Sequence, residues 1–157
     1  MATPAEIVLR EARAADAVAL ANLFLLARRT AMPWLAVVHG DADTHAWMAA
    51  RVVPSGELVV ADVDGRVAGF AAVGGGWLHD LYVHPDWQRR GVGAALLAEA
   101  KRRSPAGLQC WVFQRNARAR RFYEARGFRL VEETNGEANE EREPDARYRW
   151  APDDLIR

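Results

Sequence analysis

Val83-His84-Pro85-Asp86-Trp87-Gln88-Arg89-Arg90-Gly91-Val92-Gly93-Ala94 is the stretch on which the reading of this chain turns. Trp77–Val83 in front of it is a strand-like run that Pro85 closes. Gly91–Arg103 behind it has a helical pattern, with Val92, Ala95, Leu96 and Ala100 on one side and Lys101, Arg102 and Arg103 at the negative end. The first-turn amides of a helix have no intrahelical acceptor, and the dipole adds about half a positive charge there. Bare positions at Gly91 and Gly93 let a diphosphate approach those amides, and Arg89 and Arg90 add cationic reach. A ligand carrying a pyrophosphate is the expected occupant. Two common phosphate loops are excluded: the dinucleotide fingerprint needs a third glycine where Leu96 stands, and a Walker loop needs a Gly-Lys-Ser/Thr ending.

Outward from this turn the chain alternates strands and helices. Glu57–Val63, the Asp64-Gly65 turn and Arg66–Val73 form a hairpin, and Gly74-Gly75-Gly76 leads into Trp77–Val83, giving three antiparallel strands in series. Upstream, Ile7–Arg10 suits an edge strand. Asp16 is placed to cap a helix carrying Val18, Leu20, Leu23, Phe24 and Ala27, and a second helix starts at Asp43 or Thr44 and runs to about Val53. Downstream come a buried strand Leu108–Phe113, a helix Ala117–Arg126, a strand Gly127–Glu133, a polar loop Asn135–Pro144 and a last strand Arg147–Trp150. The order β-α-α-β-β-β-α-β-α-β-β predicts an α/β (α+β) domain, with a mixed, mostly antiparallel sheet of about seven strands flanked by four helices.

The chain has 157 residues, which fits a single domain spanning 1–157 with its core at about 6–150. That length buries enough surface to need no disulfide or metal, and Cys110 as the lone cysteine excludes a disulfide framework or a Cys-rich zinc module. His39, His45 and His84 show no metal-ligand spacing, so no metal is expected. No run of about 18 apolar residues is present, and Met1–Arg13 lacks a signal-peptide layout, so a cytoplasmic protein without a membrane partner is the expectation. Formal net charge is zero. The arginines of Arg115–Arg129 are therefore offset by the acidic run Glu132–Asp145, and no nucleic-acid partner is expected.

Gln-x-x-Gly-x-Gly directly behind Leu-Tyr-Val-x-Pro resembles the acyl-CoA motif of the GNAT superfamily of N-acetyltransferases. A second block, Asn116-Ala117-Arg118-Ala119-Arg120-Arg121-Phe122-Tyr123-Glu124-Ala125-Arg126-Gly127-Phe128, resembles that family's Asn-x-x-Ala-x-x-Phe-Tyr-x-x-x-Gly-Phe segment. Asn116 and Tyr123 lie seven residues apart, two helical turns, on a stripe that includes Ala119 and Arg120. Gly127 sits where a helix stops in the left-handed conformation. With their order, the two blocks extend the likeness over Glu6 to Trp150.

The resemblance implies acetyl-CoA as acyl donor and transfer to a primary amine of a small molecule or peptide by direct attack in a ternary complex. Trp77–Val83 and Leu108–Phe113 would splay, and the pantetheine arm would pair along Leu81, Tyr82 and Val83 as an added strand. The Val83 amide would polarise the thioester carbonyl. Gln88, Arg89, Arg90, Gly91, Val92, Gly93 and Ala94 would hold the pyrophosphate, Asn116 the pantetheine end, and Arg118 or Arg120 the adenosine phosphates. Tyr123 matches the tyrosine that protonates the departing sulfur; an ordinary phenol titrates near pH ~10, so it is an acid rather than a base. The base position of many members falls on Trp77, which accepts no proton; other members use a position that is His79 here. Strand alternation puts Trp77, His79, Leu81 and Val83 on one face and Leu78, Asp80 and Tyr82 on the other, unless a bulge near Gly74–Gly76 intervenes. His79 is preferred over Asp80, which otherwise binds a cationic acceptor or caps a neighbouring loop.

By the same likeness, Arg29–Leu35 and Asn135–Pro144 would wall the acceptor cleft, with Met32, Trp34 and Trp77 as an apolar surface. The acidic loop either draws a cationic amine such as a polyamine, a lysine side chain or an aminoglycoside, or serves as a solvated turn. A homodimer is compatible with the family. A non-catalytic acyl-CoA-binding module on the same fold is the competing expectation.

Overall fold

The computed structural model describes residues 5–152. Its sheet has seven strands: β1 (Ile7–Glu11), β2 (Leu58–Val63), β3 (Arg66–Gly74), β4 (Trp77–Val83), β5 (Leu108–Phe113), β6 (Arg129–Glu133) and β7 (Asp145–Trp150). Their order across the sheet is β1-β2-β3-β4-β5-β7-β6. Every neighbouring pair is antiparallel except β4–β5. Four helices complete the domain: α1 (Ala17–Ala31), α2 (Asp41–Trp47), α3 (Val92–Arg103) and α4 (Ala117–Glu124). This is the predicted α/β order, element for element.

Alternation along β2 and β3 splits the core between the two sheet faces. Leu58, Val60, Phe70 and Ala72 meet Leu20, Leu23 and Ala27 of α1 together with Met48 and Val52. Val59, Ala61, Ala71 and Val73 meet Val92, Leu96, Leu97 and Ala100 of α3 and Tyr123 of α4. Nearly all these side chains are below a tenth exposed, and each full burial of a Leu or Val stabilises the domain by about 1.5–3 kcal/mol.

Several local expectations are corrected. Asp16 does not cap α1; its carboxylate accepts from the Arg13 amide at 2.7 Å and from the Arg10 guanidinium at 2.8 Å, closing the short turn Ala14–Asp16 ahead of the helix. The second helix begins at Asp41 and passes into a wider π-type turn at Met48–Val52. The last strand starts earlier, at Asp145, because β5 and β7 pair continuously from Phe113↔Asp145 to Leu108↔Trp150. α4 ends at Glu124, and Gly127 follows with φ +89°, the left-handed stop its position demands.

Candidate active site

β4 and β5 are joined at one register pair, Trp77↔Gln109, with the Gln109 amide donating to the Gly76 carbonyl at 2.9 Å. Beyond that point the strands diverge. The His84 amide donates to Ala68 on the β3 side at 2.8 Å. Amides alternate sides along a strand, so those of Val83 and Leu81 point the other way, into the gap. A groove of about 320 Å³ lies there, lined by Leu81, Tyr82, Val83, Gln88, Arg89, Gly91, Val92, Gly93, Ala94, Asn116 and Tyr123, with Arg118 and Phe122 beside them.

The N-terminus of α3 forms one end of this groove. No side chain caps it, so its first-turn amides stay open to an external acceptor. Gly91 has φ +83°, and a Cβ there would meet nothing within 4 Å, so its conformation rather than crowding demands glycine. A Cβ on Gly93 would meet the Phe122 ring at 3.4 Å, an ordinary van der Waals contact, so crowding does not demand glycine there. Arg89 also takes a left-handed φ of +62°, which turns the loop toward the helix start. Gln88 reaches back to donate to the Val83 carbonyl at 3.1 Å, fixing the loop to the end of β4.

Arg90 and Arg120 stand outside the groove. Arg90 stacks over Trp87 at 5.1 Å. Arg120 donates to the Tyr148 hydroxyl and to Glu133, each at 2.9 Å, because its place on α4 faces β7 and β6 rather than β4. Of the two arginines offered for the adenosine phosphates, Arg118 is the one on the groove; it reaches Gln88 at 3.5 Å. Asn116 lines the groove and also caps α4, its side-chain oxygen accepting from the Ala119 amide at 3.2 Å. Tyr123 is buried against Phe122 and Phe128, each ring centroid 5.2 Å away. Burial raises its pKa well above the ordinary phenol value, and the neighbouring Cys110, Tyr82 and Asp80 push the same way. Burial likewise pushes the Cys110 thiol up to about 12, which leaves it a poor nucleophile.

A second cavity, of about 500 Å³, lies on the α1 face of β4 and shares Met32 with the groove. Phe24, Leu25, Met32, Leu35, Val38 and Trp47 supply its apolar walls; Arg28, Asp80 and Glu141 sit among them. Burial pushes the Asp80 carboxyl up to about 7 against the pull of Arg28. Burial opposes the charge on Arg28, but Tyr82, Glu141 and Asp80 outweigh it and its pKa rises. Arg28 donates to the Tyr82 hydroxyl at 3.0 Å and to Glu141 at 3.1 Å. The Tyr82 phenol is pushed up to about 12, chiefly by burial, so it remains protonated.

The two base candidates are separated by a bulge. Ala72 pairs with Asp80 and Val73 with Leu78, which leaves His79 as the extra residue. The simple alternation therefore fails at this end of β4: Leu78 joins Leu81 and Val83 in the α3-side core. His79 is about half exposed, pairs with Glu57 at 3.3 Å and lines neither cavity, whereas Asp80 lines the larger one. Trp34 and Trp77 line neither cavity. Trp34 packs edge-on to Phe113 beneath the Arg115 guanidinium, and Trp77 holds the one β4–β5 pair. Trp47 and Phe24 provide the aromatic wall instead; both sit at helical spacings that read equally well as core.

The acidic loop lines the larger cavity through Glu140 and Glu141. Asp145, only 8% exposed, holds that loop by accepting from Thr134 and from the Asn139 amide at 3.1 Å. Glu143 and Glu133 pair with Arg115 and Arg120, so part of the arginine run is balanced locally. No cluster of three or more metal-ligating side chains occurs among the described residues, and no helix among them is long and apolar enough to cross a membrane.

Residues 54–130, which contain β4, β5, α3 and α4, match a family model described as an acetyltransferase (GNAT) domain. The chain is 38% identical over 74 residues to the peptidyl-lysine N-acetyltransferase YiaC of Escherichia coli, covering 46% of this chain and 50% of that protein. It spans about half the length of the curated relatives it matches, between 41% and 61%. The solution structure of apo YjaB from Escherichia coli superposes with TM-score 0.78 at 20% identity, over 92% of this chain and 97% of that one. The PaiA N-acetyltransferase of Thermoplasma acidophilum, solved in complex with coenzyme A, gives TM-score 0.68 at 16% identity, over 93% and 99%. Residues 54–130 thus resemble a GNAT acetyltransferase domain, and the fold around them is shared with these solved structures.

Proposed function

We propose that this protein is an N-acetyltransferase that moves an acetyl group from acetyl-CoA to a primary amine by direct attack while both substrates are bound. The observation that carries the proposal is the divergence of β4 from β5 after Trp77↔Gln109, which frees the Leu81 and Val83 amides beside an uncapped helix N-terminus. A pantetheine amide finds strand partners there, and the adjoining first-turn amides suit its diphosphate. The donor supplies an activated acyl carbon and a thiol leaving group. The Val83 amide is aimed to donate to the carbonyl oxygen on which charge develops. Asp80, poised near neutrality in the cavity beyond Met32, accepts the proton an ammonium must lose before it attacks. His79, preferred on sequence grounds, faces Glu57 rather than either cavity, so we assign the proton acceptor to Asp80. Tyr123 keeps its proton and offers it to the departing sulfur.

Gly91→Asp and Gly91→Asn test the donor site as a pair. Both side chains tolerate a left-handed φ better than other residues do, and they differ essentially in charge. Isothermal titration with acetyl-CoA should show Asp weakening binding at least about tenfold more than Asn, the scale of a charge at a helix N-terminus facing an anion. Equal affinity in the two variants would move the diphosphate elsewhere. Tight binding without turnover across a broad amine panel would favour a non-catalytic acyl-CoA-binding role.

A further inference from the structure

The acceptor cavity holds more carboxylate than a single amine requires. Its two arginines are already matched: Arg28 by Glu141 and the Tyr82 hydroxyl, Arg29 by Asp41. Asp80 stands at the inner, partly buried end within the pull of Arg28, and two acids stand at the exposed end. Glu140, with a side chain 66% exposed, meets the His39 imidazole at 2.9 Å across the mouth. Asp43, in the first turn of α2, lines the same mouth and has no ion-pair partner among the described residues. Between the two ends the wall is apolar and aromatic, with the Phe24 and Trp47 rings 5.5 Å apart.

Each simpler acceptor leaves part of this arrangement unused. A monoamine with an apolar tail satisfies Asp80 but lays hydrocarbon against two carboxylates that then lose water. An acceptor bearing a carboxylate meets repulsion, since the nearby guanidinium groups already hold acids. A second cation at the far end of an alkyl stem satisfies both ends at once.

Building on the acetyltransferase reading, we propose that the preferred acceptor is an aliphatic diamine or polyamine. One terminal amine sits at Asp80, the alkyl stem lies along Phe24 and Trp47, and a second ammonium sits between Asp43 and Glu140. Coulomb attraction to the mouth acids selects the dication, and burial of the stem selects its length.

The test compares α,ω-diamines of graded chain length with the matching monoalkylamines at about pH 8, where aliphatic amines remain largely protonated. Release of free CoA gives kcat/KM for each. At the best chain length the diamine should exceed its monoamine by about tenfold, the scale of two partly exposed ion pairs. Asp43→Asn and Glu140→Gln should each lower that ratio about two- to fivefold. Both substrates are measured on the same protein, so a poorly folded variant lowers numerator and denominator together. A ratio near one at every length, a ratio neither variant alters, or acetylation of lysyl peptides in preference to every diamine would overturn the assignment while leaving the acetyltransferase reading intact. No turnover of any amine, despite acetyl-CoA binding, would remove both.

Discussion

Replacing Asp80 by asparagine should make the protein more stable above neutral pH while impairing acetyl transfer. Burial holds the Asp80 carboxyl at about 7, against an ordinary 3.8, so the folded state binds that proton more tightly than the unfolded chain does. Between these values the folded state carries more protons, and its stability falls as pH rises. The contribution of the neutral carboxyl is fully present below about pH 4 and lost as pH passes 7. A gap of about three pH units at 1.36 kcal/mol each sets an upper bound of about 4 kcal/mol, and relaxation around the new charge brings the expected effect to about 2 kcal/mol. The side-chain amide of the Asp80→Asn variant cannot ionise and escapes the loss. Urea unfolding of both proteins at several pH values should therefore show stability curves that separate by about 2 kcal/mol between pH 4 and 8, equivalent to about 4–8 °C in Tm for a domain of this size. In the parent protein kcat/KM should rise through an apparent pKa near 7, and the variant should lose that limb. Parallel stability curves across this range would refute the desolvated-carboxylate argument, and an unchanged pH–rate limb would remove Asp80 from proton transfer.

Tyr123→Phe should lower kcat by about 10²-fold, a typical general-acid contribution, with acetyl-CoA affinity by titration nearly unchanged. His79→Ala should change kcat/KM less than about threefold, as expected for an exposed polar contact outside both cavities; a larger loss in initial-rate assays would restore it as the base. Arg118→Ala should weaken acetyl-CoA binding, whereas Arg120→Ala should leave the dissociation constant in place and lower the urea midpoint through lost contacts to Tyr148 and Glu133. Asp145→Ala should cost about 1–3 kcal/mol in urea unfolding, because it strips partners from Thr134 and Asn139 under the acidic loop. The amine KM should rise with it.

Local signals in the chain specify the elements, their order and the groove residues at the start of α3. Proline, glycine and apolar period are local signals. Asp64-Gly65, Pro85, Gly91 and Gly127 each mark a boundary that backbone sterics enforce wherever the rest of the chain goes. An uncapped glycine-bounded helix start is local in the same sense, so the groove lining at Gly91 to Ala94 and at Asn116 and Tyr123 was legible in advance. The larger cavity was not. Alternation along β4 put His79 on the face of Leu81 and Val83, but the extra residue opposite Ala72 and Val73 interrupts that period, and a bulge depends on the partner strand. Which arginine faces the groove depends on where the Tyr148 hydroxyl stands, some 28 positions away in the chain. Whether Asp80 is an ordinary acid or one that titrates near neutrality depends on what surrounds it, since desolvation is a property of the packed interior and not of the residue. Turns and helix starts are decided within a few residues; ionisation and cavity shape are decided only when α1, β4 and the acidic loop close around the same volume.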